Sequence, residues 1–125
     1  MTMTITPHAA PCGASVQGID LREALAPDTV ASLRQAWLQH QVLAFPDQAL
    51  SLEDLERVAL HFGPFGTDPY FGSVAGHPHI AQVKRDADEK TKIFAETWHS
   101  DWSFLAAPPQ ADSLDGAPPR VWWNR

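Results

Sequence analysis

The sequence predicts an α+β fold with a mostly antiparallel sheet, on three observations. Two segments with helical apolar spacing, residues 28–40 and 51–62, come early in the chain. Short extended runs and aromatic-rich loops surround them. No G-x-G-x-x-G or Walker-type sequence marks the strand–turn–helix unit of a nucleotide-binding parallel sheet.

Each element has its own local signal. Thr2 to Thr6 alternates β-branched with other residues, and Ala14 to Ile19 offers a second extended run, flanked by Gly13 and holding Gly18; both read as short strands. From Asp28 to His40 the apolar residues Val30, Leu33, Trp37 and Leu38 recur near helical period, with Asp28 placed to cap the first amides. Val42 to Phe45 is an apolar run stopped by Pro46 and suits a buried strand. Ser51 with Asp54 has the spacing of a capping box; Leu52, Leu55, Val58, Ala59 and Phe62 then share one helical face before Gly63-Pro64 ends it. Residues 63–78 are rich in Gly, Pro and aromatics and read as an ordered loop that can wall a pocket. His79 to Val83 reads as another strand, and Lys84 to Lys92, with seven charges in nine residues, as a solvated excursion.

Composition narrows the functional classes. The 125 residues fit one small domain or part of a larger one, and 44% apolar content is enough for a core, which excludes disorder throughout. Nine Lys and Arg against fifteen Asp and Glu give a net charge of −6, so no basic surface awaits nucleic acid. No apolar run reaches membrane-spanning length, and the first residues lack a signal-peptide pattern. Cys12 stands alone, so no intrachain disulfide forms and a reducing, cytoplasmic setting is expected. There is no G-x-S-x-G and no nucleophile context around Cys12.

Histidine and carboxylate remain as carriers of chemistry. His99-Ser100-Asp101 sets an imidazole and a carboxylate two residues apart, and on an extended strand those side chains share a face and can grip one ion. Chance alone supplies about 0.5 such pairs in a chain of this composition, so the flanks must decide. They read Trp98-His99-Ser100-Asp101-Trp102-Ser103-Phe104, followed by Pro108-Pro109.

This string resembles the W-H-[ST]-D-x-[ST]-F…P-P signature of the TauD/TfdA family of Fe(II)- and 2-oxoglutarate-dependent dioxygenases. Gly18-Ile19-Asp20-Leu21, His40-Gln41-Val42-Leu43 and Phe62-Gly63 extend the likeness over most of residues 4–110. The resemblance implies the N-terminal part of a double-stranded β-helix (jelly roll) with two flanking helices. It also implies Fe(II) held by His99 and Asp101, with 2-oxoglutarate and O2 as cosubstrates and a small molecule as substrate. Trp98 and Phe104 are expected to pack the strand that presents the ligands. Aligned on the same anchors, the substrate positions of taurine-using members fall on Asp68, Phe71 and Ala95, all different here, and an ionised Asp68 would oppose a sulfonate. Tyr70, Phe71 and Trp102 can line a more aromatic pocket, or serve as packing.

The likeness also sets expectations for the chain beyond the motif. Family members run to well over twice this length, with a distal iron-binding His and a 2-oxoglutarate-binding Arg in the later part. Here no His comes after His99, and only Arg120 and Arg125 come after it as arginines. Residues 1–110 are therefore expected to form a partial dioxygenase domain and 111–125 a divergent tail. Where the family continues with G-G-D-T, this chain has Val121-Trp122-Trp123-Asn124. Tryptophan has one codon, and reading Trp-Trp one nucleotide later yields Gly-Gly, so the tail has the pattern of a frameshift. The alternative is a non-catalytic fragment or pseudoenzyme that binds metal weakly or associates through an open sheet edge, a homo-oligomer included. His77-Pro78-His79 is a second i, i+2 pair, but it lacks the spaced Glu and Gly of a cupin-like metal site.

Overall fold

The computed structural model describes residues 2–67, 70, 72–83, 86, 88–90 and 97–115. Within them the elements are β1 (Thr4–Pro7), β2 (Ala14–Gln17), α1 (Pro27–His40), β3 (Leu43–Ala44), α2 (Leu52–Leu60), β4 (Ser73–Val74) and β5 (His77–Ala81). Helices and strands are thus mixed, as the α+β expectation requires. The tail beyond residue 115, and with it the frameshift pattern, lies outside the described residues.

β1 and β2 pair antiparallel, Thr4 opposite Gln17 through Pro7 opposite Ala14. β3 joins β2 in parallel, with Ala14 facing Leu43, so this sheet is mixed rather than antiparallel throughout. β4 and β5 form a separate antiparallel hairpin. The chain leaves β2 at Gly18, whose φ is +75° and whose Cα lies so near the Thr2 carbonyl that any Cβ would collide with it.

α1 begins one residue earlier than its spacing suggests. Pro27 occupies the first turn, where its absent N–H costs no hydrogen bond, and Ala26 is an N-cap without a side-chain acceptor, so Asp28 lies inside the helix instead of capping it. Leu33 and Ala36 are buried, whereas Leu38 is 75% exposed. At 3.6 residues per turn Leu38 sits roughly 140° around the helix from Leu33, outside the core-facing stripe. Val42–Phe45, expected as a buried strand, contributes only the two-residue edge strand β3, with Leu43 half-buried and Ala44 exposed. Flanking left-handed residues, Gln41 at φ 63° and Asp47 at φ 59°, turn the chain away at both ends.

α2 is capped as its sequence indicates. The Ser51 hydroxyl accepts from the Asp54 amide and the Asp54 carboxylate accepts from the Ser51 amide, each at 3.1 Å. Asp54 also takes a hydrogen bond from Arg57 at 2.8 Å. These donors, the Ser51 amide first, hold its carboxyl below the usual range. The other end is closed from α1: Arg34 donates to the carbonyls of His61 and Phe62 at 3.0 and 2.9 Å, and Trp37 meets Phe62 edge-on at 5.9 Å. The core drawn from these elements is Ala14 and Val16 of β2, Leu21, Leu33 and Ala36 of α1, and Val58 of α2. Arg57 donates to the Leu21 carbonyl at 2.8 Å, and Gln48 bridges the Leu21 amide and the Ile19 carbonyl, pinning the loop after β2.

The loop expected over residues 63–78 contains a strand and a half. β4 lies within it, and β5 starts two residues before His79 and ends at Ala81. The Gly76 turn, at φ 82°, reverses the chain between them. In the charged excursion a turn closes by the Glu89 amide on the Asp86 carbonyl. No helix among the described residues is long and apolar enough to cross a membrane.

Leu33→Ala is expected to cost about 2–5 kcal/mol of unfolding free energy, and Ser51→Ala about 1 kcal/mol, in urea denaturation followed by far-UV circular dichroism. The pH dependence has a defined sign. Hydrogen bonds from the Arg22 side chain and backbone lower the Asp20 carboxyl to about 2. A depressed carboxylate stabilises the fold above its unfolded value of about 3.9, and that contribution is lost as pH falls through the folded value. Asp20→Asn should therefore flatten the loss of thermal stability between about pH 4 and pH 2 and leave neutral pH less stable than the parent.

Candidate functional site

His99 and Asp101 do come together, but not on a strand. Residues 97–107 form bends and turns, one closed by the Leu105 amide on the Trp102 carbonyl and another by the Ser100 and Ser103 hydroxyls at 2.8 Å. The turn, rather than strand alternation, brings His99 Nε2 to 3.1 Å from Asp101 Oδ1, with both side chains about half exposed. His99 Nδ1 lies 2.7 Å from the Thr97 carbonyl oxygen. A carbonyl oxygen only accepts, so Nδ1 carries the hydrogen and, in the neutral ring, Nε2 presents its lone pair toward Asp101. Two acceptors facing each other need a cation between them, either a proton or a metal ion. An imidazole nitrogen and a carboxylate oxygen are also a donor set that ferrous iron accepts, so the two residues fit the metal the sequence resemblance implies.

Asp112 is a second acidic group that sequence reading missed. It lies beside Asp101; desolvation first, and then the Asp101 charge, push its carboxyl above the ordinary range. Its position depends on the chain path after Pro108-Pro109, for which the sequence carries no spacing signal. Among the described residues no set of three His, Cys, Asp or Glu side chains is arranged to hold a metal ion.

The aromatic candidates divide. Tyr70 and Trp102 stack, with centroids 6.4 Å apart and planes 11° apart, and Phe104 meets both at 5.7 and 5.9 Å. This wall adjoins Asp101 through Trp102, which holds the left-handed φ of 53° that turns the chain there. Its rings are not core: Tyr70 is 70% and Phe104 62% exposed. Trp98, expected to pack behind the ligands, projects fully into solvent, because a turn has no second face to bury. Asp68, Phe71 and Ala95 lie outside the described residues.

The second histidine pair is engaged elsewhere. The two His77 nitrogens face two different carboxylates, and His79 stacks on Phe65, so the pair does not converge on one point. Surface concavities lie between the end of β2 and Pro46–Gln48, and between β1 and α1; neither borders His99 or Asp101.

Comparison with known proteins places these features in context. The family model described as "Taurine catabolism dioxygenase TauD, TfdA family" matches residues 4–114. The chain is 33% identical over 109 residues to the (S)-phenoxypropionate/alpha-ketoglutarate-dioxygenase of Sphingobium herbicidovorans, covering 86% of this chain and 37% of that protein. It is 31% identical over 105 residues to the alkylsulfatase of Acinetobacter baylyi, covering 83% and 32%. Among solved structures, a taurine dioxygenase from Burkholderia xenovorans aligns with a TM-score of 0.58 and 34% identity over 66% of this chain and 31% of that one. AAD-2 in complex with Mn(II) and N-oxalylglycine aligns at 0.50 and 32% over 52% and 26%. The chain spans roughly a third to two fifths of the length of the curated relatives it matches.

Proposed function

Because the chain belongs to the taurine catabolism dioxygenase TauD, TfdA family, we propose that it supplies part of an Fe(II)- and 2-oxoglutarate-dependent dioxygenase. The reaction would hydroxylate a small organic substrate, consuming O2 and releasing succinate and CO2. Relatives of this chain are alpha-ketoglutarate-dependent dioxygenases by name, which supports the reaction class. The observation that carries the site assignment is the alignment of the Thr97 carbonyl, hydrogen-bonded to His99 Nδ1, with His99 Nε2 facing the Asp101 carboxylate at 3.1 Å.

In this reading His99 Nε2 and Asp101 Oδ1 hold the ion, and the Thr97 carbonyl fixes the ring orientation and tautomer that expose Nε2. An ion held by these two residues would supply the redox chemistry with the oxo acid and O2. Tyr70 and Trp102, with Phe104 behind them, form the substrate-facing wall, and their exposed π-faces favour an aromatic or otherwise apolar substrate over taurine. Asp68, Phe71 and Ala95 complete the substrate positions by alignment, and an acidic Asp68 there disfavours a sulfonate. The helices α1 and α2 flank the first strands of a double-stranded β-helix within residues 1–110, and 111–125 diverge as a tail.

A second reading, a non-catalytic chain that holds metal weakly, is favoured by one observation: among the described residues His99 and Asp101 meet without a third ligand. Anaerobic titration with Fe(II) and 2-oxoglutarate separates the two readings. The expected outcome is a visible charge-transfer band whose iron affinity drops at least about tenfold in His99→Ala and in Asp101→Ala, followed by succinate release when O2 and an aryl acid are admitted. A folded chain that shows no band and releases no succinate favours the non-catalytic reading.

A further inference from the structure

The histidine pair on β5 does not converge on one point, and both imidazoles are committed. His77, 14% exposed in its side chain, places Nδ1 3.1 Å from Glu56 Oε2 and Nε2 3.4 Å from Glu53 Oε1. The two glutamates stand at i and i+3 on α2 and so on one face of the helix. His79, two residues on and on the same side of the strand, lies flat on Phe65, with centroids 4.2 Å apart and planes 14° apart. Phe65 comes directly after Gly63-Pro64, where α2 has ended. The hairpin is therefore fastened to α2 at one end by hydrogen bonding and to its trailing loop by ring stacking.

Two contacts carry this arrangement onward to the candidate site. Gly66 packs against Pro109: a Cβ on it would stand 3.5 Å from that ring. Three residues before β4, Tyr70 stacks on Trp102, the neighbour of Asp101. The loop that holds the aromatic wall is thus bounded on one side by α2 and on the other by the hairpin the two histidines clamp.

We propose that His77 and His79 are positioning residues that clamp the β4–β5 hairpin on α2 and its trailing loop and thereby set the Tyr70–Trp102–Phe104 wall beside His99 and Asp101. The proposal rests on reading that wall as the substrate side of the site. His77 acts through the Glu53 and Glu56 carboxylates, and Glu56 is fixed by this contact alone, since its buried Oε1 has no hydrogen-bond partner among the described residues. His79 acts through its ring face, which an aromatic hydrocarbon can replace.

The test is near-UV circular dichroism of the purified chain, without metal, with the signal of the stacked wall identified by difference against Trp102→Phe. His77→Ala and His79→Ala should each reduce that signal by about half or more at temperatures well below melting while the far-UV helix signal persists. His77→Gln, which retains a donor to Glu56, and His79→Phe, which retains the stack, should restore most of it. A lowered melting temperature with the wall signal intact would mean a merely structural clamp and overturns the proposal, as does an unchanged signal. Should either alanine variant lose its helix signal, Glu56→Ala, which removes the acceptor for His77, is read in the same way, loss of the wall signal supporting and its retention overturning. Because no metal is added, failure here and failure of the iron titration are separate results.

Discussion

Two arginines fix α2, and the rest of the structure takes its direction from that helix. A helix ends with carbonyl oxygens that lack partners within it, and Arg34 of α1 meets those of His61 and Phe62. Both bonds leave from Nη1, whose two hydrogens diverge and so reach two acceptors at once. Arg57 ties the opposite side of α2 to the Leu21 carbonyl and to Asp54 of its own capping box. With both ends satisfied, Val58 is held in the small core, and the chain leaves at Gly63 in a set direction. Phe65, the hairpin and the aromatic wall are all placed downstream of that exit.

The candidate site has a different physical character from this anchored body. Its geometry comes from a turn held by backbone and hydroxyl hydrogen bonds, with little apolar burial behind it. His99 is oriented by a main-chain carbonyl, which a side-chain substitution elsewhere does not remove. Asp101 stands between the imidazole on one side and the Asp112 carboxyl on the other. Like carboxylates repel one another, which together with desolvation raises the Asp112 carboxyl beside Asp101.

The relatives bear names of chemically distinct activities, on phenoxypropionate in one case and as an alkylsulfatase in another. One fold can host such differences when the metal ligands are kept and the surrounding wall changes. In this chain the wall is three aromatic rings, two of them mostly exposed. A ring stack presents broad faces with few hydrogen-bonding groups.

Much of this was legible in the residues themselves. The capping box of α2 and its stop at Gly63-Pro64 could be read because caps act through side chains a few residues away, and the same holds for Pro27-initiated α1 to within one residue. The W-H-S-D string pointed to the family and made His99 and Asp101 candidate ligands because its spacing is local. What the sequence could not contain is which face each element turns to the others. Leu38 counts as apolar yet points outward, β3 pairs in parallel with a strand on the far side of α1 in the chain, and His77 with His79 look like a ligand pair until α2 is placed beside them. Local order comes from hydrogen bonds within a few residues, so the sequence alone determined the capping box of α2, the two helices and the motif, whereas the start of α1 at Ala26-Pro27 replaced the Asp28 cap it suggested. The tertiary structure decided the register of β3, the burial of each face and the partners of the histidines, because those depend on contacts between segments far apart in the chain.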